Sequence, residues 1–145
     1  MDKSALFNQF VTFTTAVHEV THDLTQNVNI DTVTPVQYKI LEYIKVSQPV
    51  TPTEISDCQH ISLPNTSREL KKLQEKNLIE KITDTEDRRK QSICLSKDGE
   101  HMMNEAFACV EVRFQQLMQN VSEEDLAEIH HALNVLQSKL FNRQK

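Results

Sequence analysis

Residues 62–96, SLPNTSRELKKLQEKNLIEKITDTEDRRKQSICLS, constrain this chain more than any other stretch. The first part has helical spacing, with Leu63, Leu70 and Leu73 on one side. Asn65, Thr66, Ser67, Arg68, Lys71 and Lys72 occupy the rest of its surface. Two β-like runs follow, LIEKIT (78–83) and QSICLS (91–96), and they enclose the charged loop DTEDRRK (84–90). A polar helix followed by a hairpin with an arginine-rich tip suits a DNA duplex. The helix (62–76) fits a major groove, and the wing (78–96) carries its tip to the neighbouring minor groove.

The net charge of −5 speaks against nucleic acid until its distribution is examined. Residues 62–97 hold nine Lys/Arg against six acids, a local +3, which leaves −8 on the remaining chain. Phosphate contact is local, so an acidic body with one basic face is compatible with DNA binding and weakens non-specific association.

The flanking segments are helical and apolar. Residues 3–26 place Leu6, Phe7, Phe10, Phe13, Val17, Val20 and Leu24 at spacings of three and four. Thr34-Pro35-Val36-Gln37 is a helix start, with a threonine cap, proline at the first position and glutamine three after the cap. Val36, Ile40, Leu41 and Ile44 form its expected inner face. Thr51-Pro52-Thr53-Glu54 repeats the start signal and opens a short helix to about Cys58. Ser62 caps the next helix, which tolerates Pro64 only in its first turn, and Asn77 ends it in a left-handed conformation. Ser96 caps a helix expected from Lys97 to about Asn120, with Met102, Met103, Ala106, Phe107, Val110, Phe114 and Leu117 inward. Ser122 and Asp125 start a last helix whose Leu126, Ile129, Leu133, Leu136 and Leu140 make a heptad stripe that requires a partner helix.

The order is four helices, a β-hairpin and two helices: mainly α, with a winged helix-turn-helix in the middle. At 145 residues the chain is one domain. A single glycine and no tryptophan fit a helical chain with few loops. No apolar run approaches the ~20 residues a membrane span needs, and the first residues lack the features of a signal peptide. A cytoplasmic location without membrane attachment is the expectation.

At this point the chain resembles the MarR family of bacterial transcriptional regulators. The carrying residues are TPVQYKILEYI (34–44), PVTPTEIS (49–56), NTSRELKKLQEKNLIEK (65–81) and above all DTEDRRKQSICLSKDGE (84–100). The last is similar to the family's wing signature, here Asp87, Arg89, Leu95, Ser96 and Gly99. The resemblance spans essentially the whole chain. It implies that 3–26 and 97–142 are dimerisation helices and that 34–96 is the DNA-binding lobe. By it, Arg89 is the wing-tip residue and Asp87 pairs with it to hold its direction. Glu86 stands where other members carry a further arginine, and Arg88 is the substitute; Asn77 stands where glycine is usual. The expected DNA-binding set is Pro64, Asn65, Thr66, Ser67, Arg68, Lys71, Lys72, Arg88, Arg89 and Lys90. The resemblance also implies a homodimer on a pseudo-palindromic duplex, acting as a repressor that a small molecule releases. The family's ligand cleft maps to the neighbourhood of Phe10, Phe13, Tyr38 and Phe107, residues that serve equally well in a core.

Other chemistries are weaker. No nucleophile motif or phosphate-cradling glycine loop points to an enzyme, and no cofactor is implied. His18 and His22 lie one helical turn apart, but no CxxC or dense Cys/His cluster accompanies them, so no metal is expected. Cys58, Cys94 and Cys109 read as buried reduced thiols, with a redox switch as the alternative. A winged-helix adaptor that binds protein in place of DNA is the other alternative, as is a metal-responsive form of the same regulator.

Overall fold

The computed structural model describes residues 2–28, 32–87 and 89–142. They form α1 (Lys3–Thr25), α2 (Pro35–Ser47), α3 (Pro52–Gln59), α4 (Leu63–Glu75), β1 (Ile79–Thr83), β2 (Gln91–Leu95), α5 (Lys97–Leu117) and α6 (Glu123–Leu136). A short π-helical stretch, Gln137–Phe141, continues α6. Among the described residues no helix is long and apolar enough to cross a membrane.

The helix starts are the ones that the caps dictate. Thr34 Oγ1 accepts from Gln37 N while Gln37 Oε1 accepts from Thr34 N, and Thr51 and Glu54 repeat the exchange. Each box satisfies donors that a helix end otherwise leaves open. Ser62 and Ser122 accept from Asn65 N and Asp125 N in the same way. Asn77 takes the left-handed conformation expected of it, with φ 60.

The chain divides into two compact units, Met1–Val110 and Glu111–Lys145. The first contains the core. Ile40, Leu41 and Ile44 of α2, Ile55 of α3, Leu70 and Leu73 of α4, and Ile93 of β2 are all buried there. Each contributes about 1.5–3 kcal/mol by leaving water. β1 and β2 pair antiparallel, with Ile79 opposite Leu95 and Thr83 opposite Gln91. Val50 adds a bridge to Ile93, exchanging both backbone hydrogen bonds with it. A single paired residue has no periodicity, so the sequence carries no sign of this bridge.

Several expectations need correction. Val36 is exposed and Gln37 is buried, so the inner face of α2 runs 37, 40, 41, 44, one residue further round than the apolar pattern suggested. Leu63, the first residue of α4, is exposed, and Thr66 takes its place in the core. α5 ends at Leu117, short of Asn120, and Phe114 and Leu117 lie exposed. Cys58 and Cys109 are exposed free thiols and only Cys94 is half-buried, where burial pushes its pKa up and keeps it protonated.

The second unit holds α6 and the stretch that continues it. Leu126, Ile129, Leu133 and Leu140 are exposed there, an apolar stripe that the described residues leave open to solvent. On α1, Leu6, Phe7, Val11, Phe13, Val17 and Val20 are exposed likewise, and none of its described residues is buried.

Candidate nucleic-acid interface

α3 and α4 are joined by a tight turn at His60, whose φ of 55 and ψ of 40 are left-handed. Ser56 stabilises it: its carbonyl accepts from His60 N and Ile61 N, and its hydroxyl donates to Ile61 O. A left-handed histidine is uncommon, and no pattern in the sequence announced it.

α4 is roughly 20 Å long. Its inner face is Thr66, Leu70 and Leu73. Pro64, Asn65, Ser67, Arg68, Lys71 and Lys72 are all exposed on the remaining surface, so the helix presents six of its expected contact residues together. Thr66 departs from that set. It is fully buried, and its hydroxyl donates to Ser62 O at 3.0 Å, so it offers no surface to a base. Lys72 lies 3.6 Å from Glu69, a loose pair that leaves its ammonium accessible.

The far side of α4 is tied to α2. Buried Gln37 donates from Nε2 to Glu69 Oε2 at 2.9 Å, and its Oε1 accepts from Lys76 Nζ at 2.9 Å. Lys76 also donates to Thr32 O at 2.6 Å. One amide therefore completes the cap of α2 and holds Glu69 of α4 and Lys76, the C-cap of that helix, two turns further on. Sequence reasoning saw Gln37 only as a cap.

The hairpin is anchored at its base. Ser96 N donates to Leu78 O, Ser96 Oγ donates to Asn77 O and accepts from Gly99 N, and Asn77 Nδ2 donates to Asp98 Oδ2. Gly99 is required by close approach, since a Cβ there would overlap the Leu78 carbonyl oxygen. At the tip, Asp87 Oδ1 accepts from Arg89 N at 3.0 Å and Asp87 O accepts from Lys90 N. The carboxylate thus shapes the backbone of the turn; among the described residues it forms no ion pair with the Arg89 guanidinium. Arg89 and Lys90 are exposed, and Arg88 lies outside the described residues.

Of the residues expected around a ligand cleft, Tyr38 lines a cavity of about 410 Å³ with Thr21 and Thr25 of α1 and Val28, Val33, Thr34, Pro35, Lys39 and Glu42. Phe10, Phe13 and Phe107 are not in its wall; Tyr38 and Phe107 both pack on the core, while Phe13 is exposed. The Tyr38 hydroxyl is buried, and among the described residues it has no hydrogen-bond partner. Burial raises its pKa, and so does nearby Glu42. Burial likewise raises Glu42, with Lys39 opposing. His18 and His22 are exposed on α1, and among the described residues no group of three His, Cys, Asp or Glu is assembled to hold a metal.

A short helix, a tight turn, a second helix with a polar outer face and a β-hairpin anchored to its end define a winged helix-turn-helix protein. The MarR family model matches residues 31–90. The chain is 30% identical over 105 residues to an uncharacterized HTH-type transcriptional regulator, YdgG, of Bacillus subtilis (strain 168), covering 71% of this chain and 69% of that one. It belongs to the MarR family. Solved structures agree on the fold. A MarR family protein from Bacillus stearothermophilus superposes with a TM-score of 0.77 at 14% identity, over 98% of this chain and 99% of that one. S. aureus MepR matches as a mutant bound to an oligodeoxyribonucleotide, with a TM-score of 0.58 at 23% identity over 97% and 99% of the two chains. MepR bound to ethidium bromide matches with 0.62 at 24% identity, over 97% of each chain.

Proposed function

We propose that the chain is a dimeric, ligand-responsive repressor that binds a pseudo-palindromic DNA operator. The observation that carries this reading is the outer face of α4. Asn65 and Arg68 occupy its N-terminal half, where side chains reach base edges, while Lys71 and Lys72 follow as phosphate contacts. Pro64 and Ser67 complete the surface. Arg89 and Lys90 of the wing take the minor groove, whose narrow form attracts a guanidinium, and Arg88 belongs to the same set. Asp87 acts by holding the turn that carries Arg89.

In this reading residues 34–96 are the DNA-binding lobe, and 3–26 and 97–142 are dimerisation helices. The exposed apolar residues of α1 and of α6 support that assignment, since such stripes need burial against a second copy. A two-fold dimer places its recognition helices about 10 bp apart, or a multiple of that. A ligand that prefers a wider spacing of the two lobes takes both helices out of register and releases the operator. MepR in complex with an oligodeoxyribonucleotide and with ethidium supports the two binding capacities by likeness of fold.

The test is titration of the full chain against its own promoter duplex and a scrambled duplex at several salt concentrations. The expected result is a steep salt dependence, a preference for the promoter and two chains per footprint. Salt-independent binding, or one chain on an asymmetric half-site, overturns the reading.

A further inference from the structure

The cavity described above has a charge preference that the ligand-responsive reading leaves open. Resting on that reading, we propose that the cavity takes an organic cation with an apolar body, whose charge is held by the Glu42 carboxylate. The volume of about 410 Å³ falls within the range of small-molecule sites. Val28, Val33 and Pro35 give it an apolar wall.

Among the described residues two opposite charges line this cavity, and their surroundings decide the sign. Glu42 is half-buried, and among the described residues its carboxylate accepts no hydrogen bond and forms no ion pair. Burial has already raised its pKa, so its ionised form lacks part of the hydration it would have in water. An arriving cation restores that loss directly. Lys39 is exposed and keeps its water, so an anion docking on it exchanges one hydration for another at little gain. The ring of Tyr38 adds a π-system, which attracts cations and repels anions.

The same helix connects the cavity to the recognition helix. Thr34, in the cavity wall, shares its cap with Gln37, and Gln37 holds Glu69 and Lys76. A ligand that moves the first turn of α2 therefore acts on α4 through one buried amide.

The experiment is calorimetric titration of the full-length protein without DNA. The probes are benzyltrimethylammonium, its uncharged carbon isostere neopentylbenzene, and the anion 3-phenylpropanoate. The cation is expected to bind at least about tenfold more tightly than either of the others. Glu42→Gln should remove that advantage and leave the neutral isostere unchanged, Glu42→Asp should retain it, and Lys39→Gln should enlarge it. Equal binding of the three probes, cation affinity that survives Glu42→Gln, or no binding at millimolar concentration overturns the proposal. Circular dichroism checks that Glu42→Gln is folded; if it is not, the probe series on the parent and the Lys39→Gln result decide. Duplex binding without any probe is measured separately, so failure of the DNA-binding reading is seen apart from failure of the charge preference.

Discussion

Replacing Gln37 tests whether one buried amide sets the position of the recognition helix. Its side chain is 2% exposed and makes three hydrogen bonds: with Thr34 N at 3.1 Å, Lys76 Nζ at 2.9 Å and Glu69 Oε2 at 2.9 Å. Two of the partners are charged, a class worth about 1.5–3 kcal/mol each when buried. The Glu69 side chain is 22% exposed and Lys76 is exposed, so water replaces part of what is lost and the lower end applies. The two charged bonds come to about 3 kcal/mol and the bond from Thr34 N adds about 1, about 4 kcal/mol in all. Gln37→Leu keeps the volume and returns about 1 kcal/mol through its apolar surface, for a net loss of about 3 kcal/mol. Gln37→Ala recovers nothing and leaves a cavity, raising the loss to about 4–5 kcal/mol. Urea unfolding at fixed chain concentration measures both, and amide exchange along α4 reports the local effect. Protection of α4 should fall in both variants, and promoter affinity with it. If Gln37→Leu unfolds within about 0.5 kcal/mol of the parent and α4 exchange is unchanged, the network does not position the helix.

Gly99→Ala sets a Cβ on the Leu78 carbonyl oxygen, so α5 must move off the hairpin base; unfolding should show a loss of about 1–3 kcal/mol, and parent-like stability would refute the close approach. Glu100 is held below its ordinary pKa by hydrogen bonds from Lys45 at 2.8 Å and Gln48 at 2.7 Å. Its stabilisation is therefore present above the ordinary glutamate range and is lost as pH falls through the lowered folded value, so Glu100→Gln should flatten the acid limb of a stability–pH curve. Arg89→Ala should weaken duplex binding by about 1–3 kcal/mol on most sequences and reduce the salt slope by about one. Because Asp87 accepts from a backbone N–H, Asp87→Asn should preserve affinity while Asp87→Ala lowers it; equal losses in the two would point to an interaction with the guanidinium instead.

The sequence alone determined whatever depends on neighbours a few residues apart. Thr34-Pro35-Gln37, Thr51-Pro52-Glu54, Ser62 and Ser122 mark helix starts because a cap closes over three residues, and Asn77 ends α4 because its own backbone tolerates the left-handed region. The hairpin and the polar face of α4 were legible for the same reason: periodicity is a local property, and the wing motif is contiguous. Tertiary structure decided which polar groups are worth burying. Gln37 replaces Val36 in the core only because Glu69 and Lys76, more than thirty residues away, complete its hydrogen bonds. Thr66 replaces Leu63 because its hydroxyl is satisfied within its own helix, at the Ser62 carbonyl, while its methyl packs inward. Gly99 stands in the wing motif, but its reason is an approach to Leu78, twenty-one residues earlier. The cavity with Glu42 and Tyr38 is a space between helices rather than a pattern along one, and no spacing rule describes it. Burial of a polar or charged group is favourable or costly according to partners that only the folded chain supplies.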